Sequence, residues 1–321
     1  MSPNQLIILE TLAKNLCPAT KTLTLDANGK PNAIPYGRAV KFHAQTYQPT
    51  NIDELSELLK FYADIPYALA VRAQFRDHVD QTKPIWRRKD ERKYPNAPHT
   101  VCLKETALNW LMLDIDKLSL PALGFNAPLS QLDPQTVCDV IIAKHLPELQ
   151  GTTYHFQLSS TAGWFDAHTV SVHLWLWLAK PMTNPQCKAF AKRINARENQ
   201  LILDPSLYNA AQPHYIANPI LGNGVETDPL PVRSGLVKKE NHVFSMPVVK
   251  TTKPAAAPTQ KSTPKSKRPK FDYIRPHKLD NWLKLIRKTD GGIHNILLDV
   301  TNWRANTGGL WCDWKDFRKK L

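Results

Sequence analysis

Apolar residues recur at helical spacing in three stretches of the chain. Residues 51–66 (NIDELSELLKFYADIP) place four apolar side chains on one helical face, with acidic residues near the start. Residues 133–149 predict a second helix, with Asp133 as its N-cap and Pro134 as its first helical residue. Residues 184–199 predict a third helix.

Other stretches carry the runs and alternation that are typical of strands. YALAVRAQ and ALNWLMLDID (107–116) each predict one strand. Residues 152–160 and 168–179 predict two paired strands around the turn TAGWFDA, and 200–209 begins as a short strand that ends on Asp204. Helices and adjacent antiparallel strands are mixed along the chain, which indicates the α+β class.

A change in composition divides the chain. Segment 251–270 has four prolines, no aromatic residue and no acid, so it predicts a flexible basic linker. It separates a large region, 1–250, from a small one, 271–321, whose apolar spacing predicts helices broken at Gly291-Gly292.

Cysteine usage and hydropathy exclude several classes of protein. The five cysteines are dispersed and form no CxxC pair, which argues against a disulfide framework and a structural zinc site. No apolar run is long enough to span a membrane. The N-terminal stretch lacks the pattern of a signal peptide, so we expect a cytoplasmic protein with no membrane partner.

The net charge of +14 favours an anionic partner. Most of it lies in residues 251–321, where sixteen Lys and Arg face six Asp and Glu. A basic, helical tail is typical of nucleic-acid binding or of docking to a partner, and a solvated basic surface is the alternative. The polar, positively charged stretch 83–96 is a second candidate contact for DNA or RNA, or else an ordinary exposed loop.

Carboxylates and a histidine lie at or near strand ends in three places. Asp114 and Asp116 share one face of a predicted strand, as do Ser171 and His173 on another, and Asp204 ends a third. Three converging carboxylates offer the hard oxygen ligands that Mg²⁺ or Mn²⁺ prefers. Each element also has an ordinary structural interpretation: a strand entering a turn, a packed histidine, or a turn that begins at Asp204.

The order and spacing of these elements resemble the archaeo-eukaryotic primase superfamily, in particular the primases and primase-polymerases of plasmids and phages. The carrying motifs are the DxD pair, a Ser-x-His about 55 residues later and a hydrophobe-Asp about 30 further on. FQLSSTAGW, HLWLWLAKPM and DPSLYNAAQPHYIANPIL add to the resemblance, which covers roughly residues 50–225, and GGIHNILLDV in the tail is a fainter match. The resemblance implies a catalytic core with an RRM-like unit and a second α/β unit.

Roles for individual residues follow from that resemblance. It implies that Asp114, Asp116 and Asp204 are catalytic and ligate two Mg²⁺ or Mn²⁺ ions, with no zinc. It implies a nucleotide-binding role for a further set of residues: His173, Ser171, Ser159, Ser160 and Arg72. Tyr215 is a candidate neighbour of the ribose, or a core tyrosine.

The implied function is that of a DNA primase or primase-polymerase in plasmid or phage replication. Its partners would be a single-stranded DNA template, nucleoside triphosphates and a replicative helicase. The main alternative is a non-catalytic, origin-binding replication initiator that keeps a primase-like core. An initiator or relaxase nuclease would need a His-hydrophobe-His pair, and here Ser171 stands in place of the first histidine. A glycosyltransferase, whose DxD binds a metal ion and a nucleotide-sugar, gives no role to the basic tail.

Overall fold

The computed structural model describes residues 3–12 and 17–247, and the predicted linker (251–270) and helical domain (271–321) lie outside this part of the chain. In the described part, three α-helices alternate with strands of several sheets, which confirms the α+β class. None of the helices described is long and apolar enough to cross a membrane.

The helices are α1 (Ile52–Ala63), α2 (Pro134–His145) and α3 (Asn184–Glu198). Each of the three predicted helical stretches therefore contains a helix. The N-cap predicted at Asp133 is confirmed, because its carboxylate accepts the main-chain N–H of Thr136 over 3.0 Å and Pro134 opens the helix. A Thr183–Gln186 capping box begins α3.

The strands, in chain order, are β1 (Leu6–Thr11), β2 (Thr22–Leu25), β3 (Pro31–Ile34), β4 (Lys41–Tyr47), β5 (Ala68–Val71), β6 (Gln74–Phe75), β7 (Ile85–Trp86), β8 (Leu103–Lys104), β9 (Leu108–Ser119), β10 (Tyr154–Leu158), β11 (Thr169–Met182), β12 (Pro213–Tyr215), β13 (Ile220–Leu221) and β14 (Ser234–Val237). The predicted pairing of 152–160 with 168–179 is confirmed, because β10 and β11 are antiparallel neighbours. The strand predicted at the start of 200–209 is wrong: these residues form no strand, and a 3₁₀ turn occupies Pro205–Leu207.

Two larger sheets organise the described part of the chain. A five-stranded antiparallel sheet has the order β12-β5-β1-β4-β7, and a four-stranded antiparallel sheet has the order β14-β10-β11-β9. A three-stranded sheet, β13-β2-β3, and the pair β6-β8 complete the strands. The candidate site residues lie on or beside β9, β10, β11 and β12, so both larger sheets contribute to the site.

Strand β1 is buried on both faces. Leu6 and Ile8 pack into a large core with the four-stranded sheet and the helices. Ile7 and Leu9 point the other way, into a second core beneath Phe42. The continuous apolar run Leu6–Leu9 therefore reflects a central strand of the five-stranded sheet rather than a half-exposed one.

Candidate functional site

Asp114 and His173 face each other across neighbouring strands. They are direct partners in the β9–β11 register, and the His173 Nε2 lies 3.4 Å from the Asp114 Oδ1. Their side chains are only 18% and 11% exposed, respectively. The antiparallel pairing therefore turns two residues that are distant in sequence into one mostly buried acid–imidazole pair.

The two side chains shift each other's proton affinity. Burial alone would raise the pKa of the Asp114 carboxyl, but the charge and hydrogen bond of His173 outweigh burial and hold that pKa below its usual value. Burial would likewise lower the pKa of His173, but the Asp114 and Asp116 carboxylates raise it instead. Both shifts favour the charged pair, so His173 has a strengthened tendency to be an imidazolium.

A β-bulge interrupts the same two strands next to this pair. The register passes from Val172 opposite Ile115 to Val170 opposite Leu118, so Asp116 and Lys117 together face Ser171. The bulge therefore interrupts the alternation of side chains between the two faces of β9 at the DxD motif.

Lys117 holds the bulge in an unusual backbone conformation. Its φ is 53°, a left-handed value that side chains other than glycine rarely adopt. Its main-chain N–H donates to the Ser171 Oγ over 2.9 Å. The pattern of residues does not single out Lys117, because this backbone conformation is most typical of glycine, asparagine and aspartate.

Asp116 is exposed at the bulge. Partial burial and the negative charges of Asp114 and Asp204 raise the pKa of its carboxyl, while His173 and a hydrogen bond from Ser171 oppose the rise. The structure thus gives Ser171 two neighbours at the bulge, the Asp116 carboxylate and the Lys117 N–H.

Asp204 reaches the same corner through its main chain. Its N–H donates to the Asp114 carbonyl over 3.0 Å. Its carboxylate accepts both the main-chain N–H and the hydroxyl of Ser206, each over 2.7 Å, and so caps the 3₁₀ turn Pro205–Leu207. The turn-starting interpretation of Asp204 is therefore correct, and it coexists with a position beside Asp114.

The donor chemistry of this corner suits a divalent cation, because three carboxylates supply hard oxygen ligands. The raised pKa of Asp116 reflects repulsion from two other carboxylates, which a cation would relieve. Asp114 and Asp204 nevertheless already have protein partners, His173 and Ser206. Among residues 3–12 and 17–247, no three His, Cys, Asp or Glu side chains are grouped as a metal site. An ion shared by all three would need these carboxylates to turn.

Ser159 and Ser160 follow β10 and are half-buried. The Ser159 N–H donates to the Ser171 carbonyl over 2.9 Å, which places this loop beside the Ser-x-His strand. The Ser159 carbonyl also accepts the Arg233 Nη1 over 2.9 Å. The expected nucleotide contacts of both serines stay predictions.

Arg72 is a correction to the expected site. Its side chain is fully buried, and its guanidinium donates to the carbonyls of Leu108, Trp110 and Met182 and to the Asn184 amide oxygen, at 2.7–3.1 Å. These contacts join the end of β5 in one sheet to β9 and β11 in the other. Since the donors are taken by protein oxygens in a solvent-excluded position, Arg72 is a structural residue and we do not retain it as a nucleotide contact.

His214 is a second residue that the sequence analysis missed. It is completely buried on β12, and its ring lies 5.5 Å from that of Trp110 and 6.1 Å from that of Trp175. Burial lowers its pKa to about 3, so it is neutral. Within the described residues neither ring nitrogen has a hydrogen-bond partner. Its strand neighbour Tyr215 was the residue that the motif QPHYIANP singled out.

The basic stretch 83–96 is less available to nucleic acid than its composition indicates. Lys89 pairs with Glu105 over 2.9 Å, and Arg92 with Asp90 over 3.1 Å. The Arg88 guanidinium lies 4.0 Å over the Tyr94 ring. Several of these cations are thus engaged within the protein.

Comparisons with known proteins give no relative: no family model, no curated protein and no solved structure matches this chain.

Proposed function

We propose that this protein is a nucleotidyltransferase of the DNA primase or primase-polymerase class, acting on single-stranded DNA with nucleoside triphosphates. The observation that carries the proposal is the meeting of Asp114, Asp116, Asp204 and the Ser171/His173 pair at one corner of the four-stranded sheet. The Asp116 carboxylate is repelled by both Asp114 and Asp204, and a bound cation would remove that repulsion.

The carboxylates would hold Mg²⁺ or Mn²⁺. Such ions neutralise a triphosphate and activate an attacking hydroxyl for in-line transfer. The Asp114–Asp204 main-chain hydrogen bond would keep two of the ligands in one place while their side chains turn toward a cation.

His173 would contact the phosphates of the incoming nucleotide. Its Nε2 faces Asp114, and within the described residues its Nδ1 has no hydrogen-bond partner. A raised pKa favours the doubly protonated ring, which can donate from Nδ1 and adds positive charge to the contact. Ser171 would help by holding the bulge backbone at Lys117.

The charge of the chain supports a nucleic-acid substrate. The net charge is +14, and residues 251–321 hold sixteen Lys and Arg against six Asp and Glu. This tail would attract phosphate without regard to sequence, and that attraction should weaken steeply with salt.

The test is primer synthesis and primer extension on single-stranded DNA with labelled NTPs or dNTPs and Mg²⁺ or Mn²⁺. We expect product from the wild-type chain and a loss of at least about 100-fold in Asp114→Asn, because one oxygen ligand becomes a neutral amide. Glu226→Gln, which removes an exposed carboxylate elsewhere, is the matched control. Equal activity in Asp114→Asn and the control would remove the proposal.

A non-catalytic origin-binding protein is the second candidate. The Asp114 and Asp204 carboxylates both have protein partners, His173 and Ser206, as expected of side chains that serve a scaffold. Sequence-dependent DNA binding with no synthesis from the wild-type chain would support this candidate over the first.

A further inference from the structure

A cavity of about 170 Å³ lies beside the five-stranded sheet, and none of the three carboxylates is among its lining residues. Its wall includes the rings of Tyr36 and Tyr215, whose centroids are 4.4 Å apart at an interplanar angle of 34°. Tyr36 is 41% exposed, so one ring of the pair is accessible to a ligand from solvent. Open aromatic rings are the surfaces on which unpaired bases stack.

Two buried polar groups that line the cavity lack partners. The Thr11 side chain is 1% exposed, and in the part of the chain described here its hydroxyl makes no hydrogen bond. The Nε of Arg87 is likewise buried and unpaired there, although its Nη1 donates to the Ala211 carbonyl. An unmet buried donor or acceptor costs about 1–3 kcal/mol, so the wall of this cavity holds two polar atoms that the fold itself leaves unsatisfied.

The lining is positively charged. Arg38 and Arg87 both contribute to it, and none of the described lining residues is acidic. Burial lowers the pKa of Arg87, but a guanidinium keeps its proton at any physiological pH. The cavity thus combines an aromatic surface for stacking with two arginine side chains that suit a phosphate.

The size of the cavity limits the ligand. Its volume of about 170 Å³ accommodates one flat ring, with the remainder of a nucleotide directed toward solvent. Gly37, also in the lining, packs so closely on the Cys17 backbone that an added Cβ would lie 2.5 Å from the Cys17 Cα. The wall on that side therefore has no room to widen.

We propose that this cavity binds a single nucleobase, with the attached phosphate held by Arg38. The base belongs to a free nucleotide or to a single strand, since both carry the same ring and phosphate. This inference rests on the proposed function for its ligand, and it does not depend on the carboxylates.

The test is binding of fluorescein-labelled oligothymidylate to the full chain, followed by anisotropy, with dTMP as competitor. We expect Tyr36→Ala to weaken oligonucleotide binding by about 5- to 150-fold, the loss of one base stack. Tyr36→Phe keeps the ring and should stay within about 2-fold. Phe61→Ala removes a ring that is 63% exposed on α1 and serves as the matched control.

Arg38→Ala tests the phosphate contact. It should reduce the slope of log affinity against log salt concentration by about 0.7, as expected for one phosphate contact on a single strand.

Two further arms identify the ligand and keep the test readable. Competition by dTMP that Tyr36→Ala abolishes indicates a free nucleotide, whereas dTMP without effect indicates a base within a strand. Because the basic tail also attracts DNA, crosslinking of a 4-thiothymidine oligonucleotide is read at the peptide level, and we expect the Tyr36 or Tyr215 peptide. Unchanged binding in Tyr36→Ala together with crosslinks confined to other peptides would overturn the inference. Primer synthesis by the wild-type chain is assayed separately: binding that depends on Tyr36 in the absence of any synthesis would show that the proposed function has failed and the cavity has not.

Discussion

The main-chain N–H of Asp204 donates to the main-chain carbonyl of Asp114 over 3.0 Å. This hydrogen bond involves no side chain, so it holds the two residues together in any orientation of their carboxylates. Asp114 therefore pairs with His173 while Asp204 caps its turn, and the two backbones would keep their places if both carboxylates turned toward the proposed cation.

The Asp114–His173 pair should stabilise the metal-free protein. We expect Asp114→Asn and His173→Gln each to lower the free energy of unfolding by about 2–4 kcal/mol, because either change leaves a mostly buried group without its partner. A double-mutant cycle by urea unfolding should give a coupling of about 1–2 kcal/mol. The exposed Glu57–Lys60 pair is the control, with an expected coupling below about 0.5 kcal/mol. Coupling as small in the buried pair as in the exposed one would contradict this expectation.

Arg72 should matter for folding and not for nucleotide affinity. Arg72→Ala leaves the carbonyls of Leu108, Trp110 and Met182 without their donor, and we expect a loss of about 3–5 kcal/mol in the free energy of unfolding. Lys30→Ala, an exposed change, should have an effect within about 0.5 kcal/mol.

A milder variant separates the two roles of Arg72. Arg72→Lys retains a cation and part of the hydrogen bonding, so it should fold with reduced stability. Its nucleotide affinity, measured by calorimetry below its unfolding temperature, should equal that of the wild type. A large loss of affinity in a stably folded Arg72→Lys would restore the nucleotide-binding role.

Two buried neutral histidines should make the protein sensitive to acid. Burial lowers the pKa of both His155 and His214 to about 3, against about 6.5 in the unfolded chain. Between those values the unfolded state binds protons that the folded state does not, so stability falls as the pH falls through this window. The slope is at most about 1.4 kcal/mol per pH unit for each histidine.

The variant that checks this slope is His155→Gln. As the pH is lowered from 6 to 4, the free energy of unfolding should decrease less steeply in this variant than in the wild type. The difference between the two slopes should be up to about 1.4 kcal/mol per pH unit. Thr227→Ala, which changes an exposed side chain without a titrating group, is the control and should leave the slope unchanged. The raised pKa of His173 adds nothing in this range, because that group is protonated in both states below about pH 6.5. Parallel curves for His155→Gln and the wild type would rule the explanation out.

Substitution by glycine should not destabilise the protein at the bulge, although it destabilises an ordinary strand position. At Lys117, where φ is 53°, a residue with a side chain is strained by about 1 kcal/mol because its backbone is in the left-handed region. Glycine has no such strain, and this gain offsets the larger conformational entropy that glycine loses on folding. Lys117→Gly should therefore be as stable as the wild type or more so, and Lys117→Val should lose about 1–2 kcal/mol. Lys180→Gly on β11, the control, should lose about 0.5–1 kcal/mol. Thermal unfolding measures all three, and equal losses at Lys117 and Lys180 would mean that the bulge is unstrained.

Local pattern was enough to predict some elements and not others. The helices at Ile52–Ala63 and Pro134–His145 follow from their apolar spacing and caps, and the β10–β11 pair follows from alternation around a turn. Strand β1 gave no such signal, because both of its faces are buried and its partners β4 and β5 come later in the chain.

The candidate site shows the same division. Asp114, His173 and Asp204 could be proposed as a set from their order and spacing, but their contacts depend on the register between strands and on a main-chain hydrogen bond. The bulge at Lys117 depends on a positive φ, which cannot be predicted from a lysine side chain. The burial of Arg72 depends on carbonyls from the other sheet, which no local pattern around YALAVRAQ contains.

The double burial of β1 has a consequence for how the chain acquires its structure. Strand β1 is the shared wall of both hydrophobic cores, yet its two hydrogen-bonding neighbours, β4 and β5, end only at Tyr47 and Val71. During synthesis this strongly apolar strand can pair on one edge once β4 is complete, but its other edge stays open until β5 has also been made. We therefore expect β1 to be the segment that a holding chaperone protects most usefully while the chain is being synthesised.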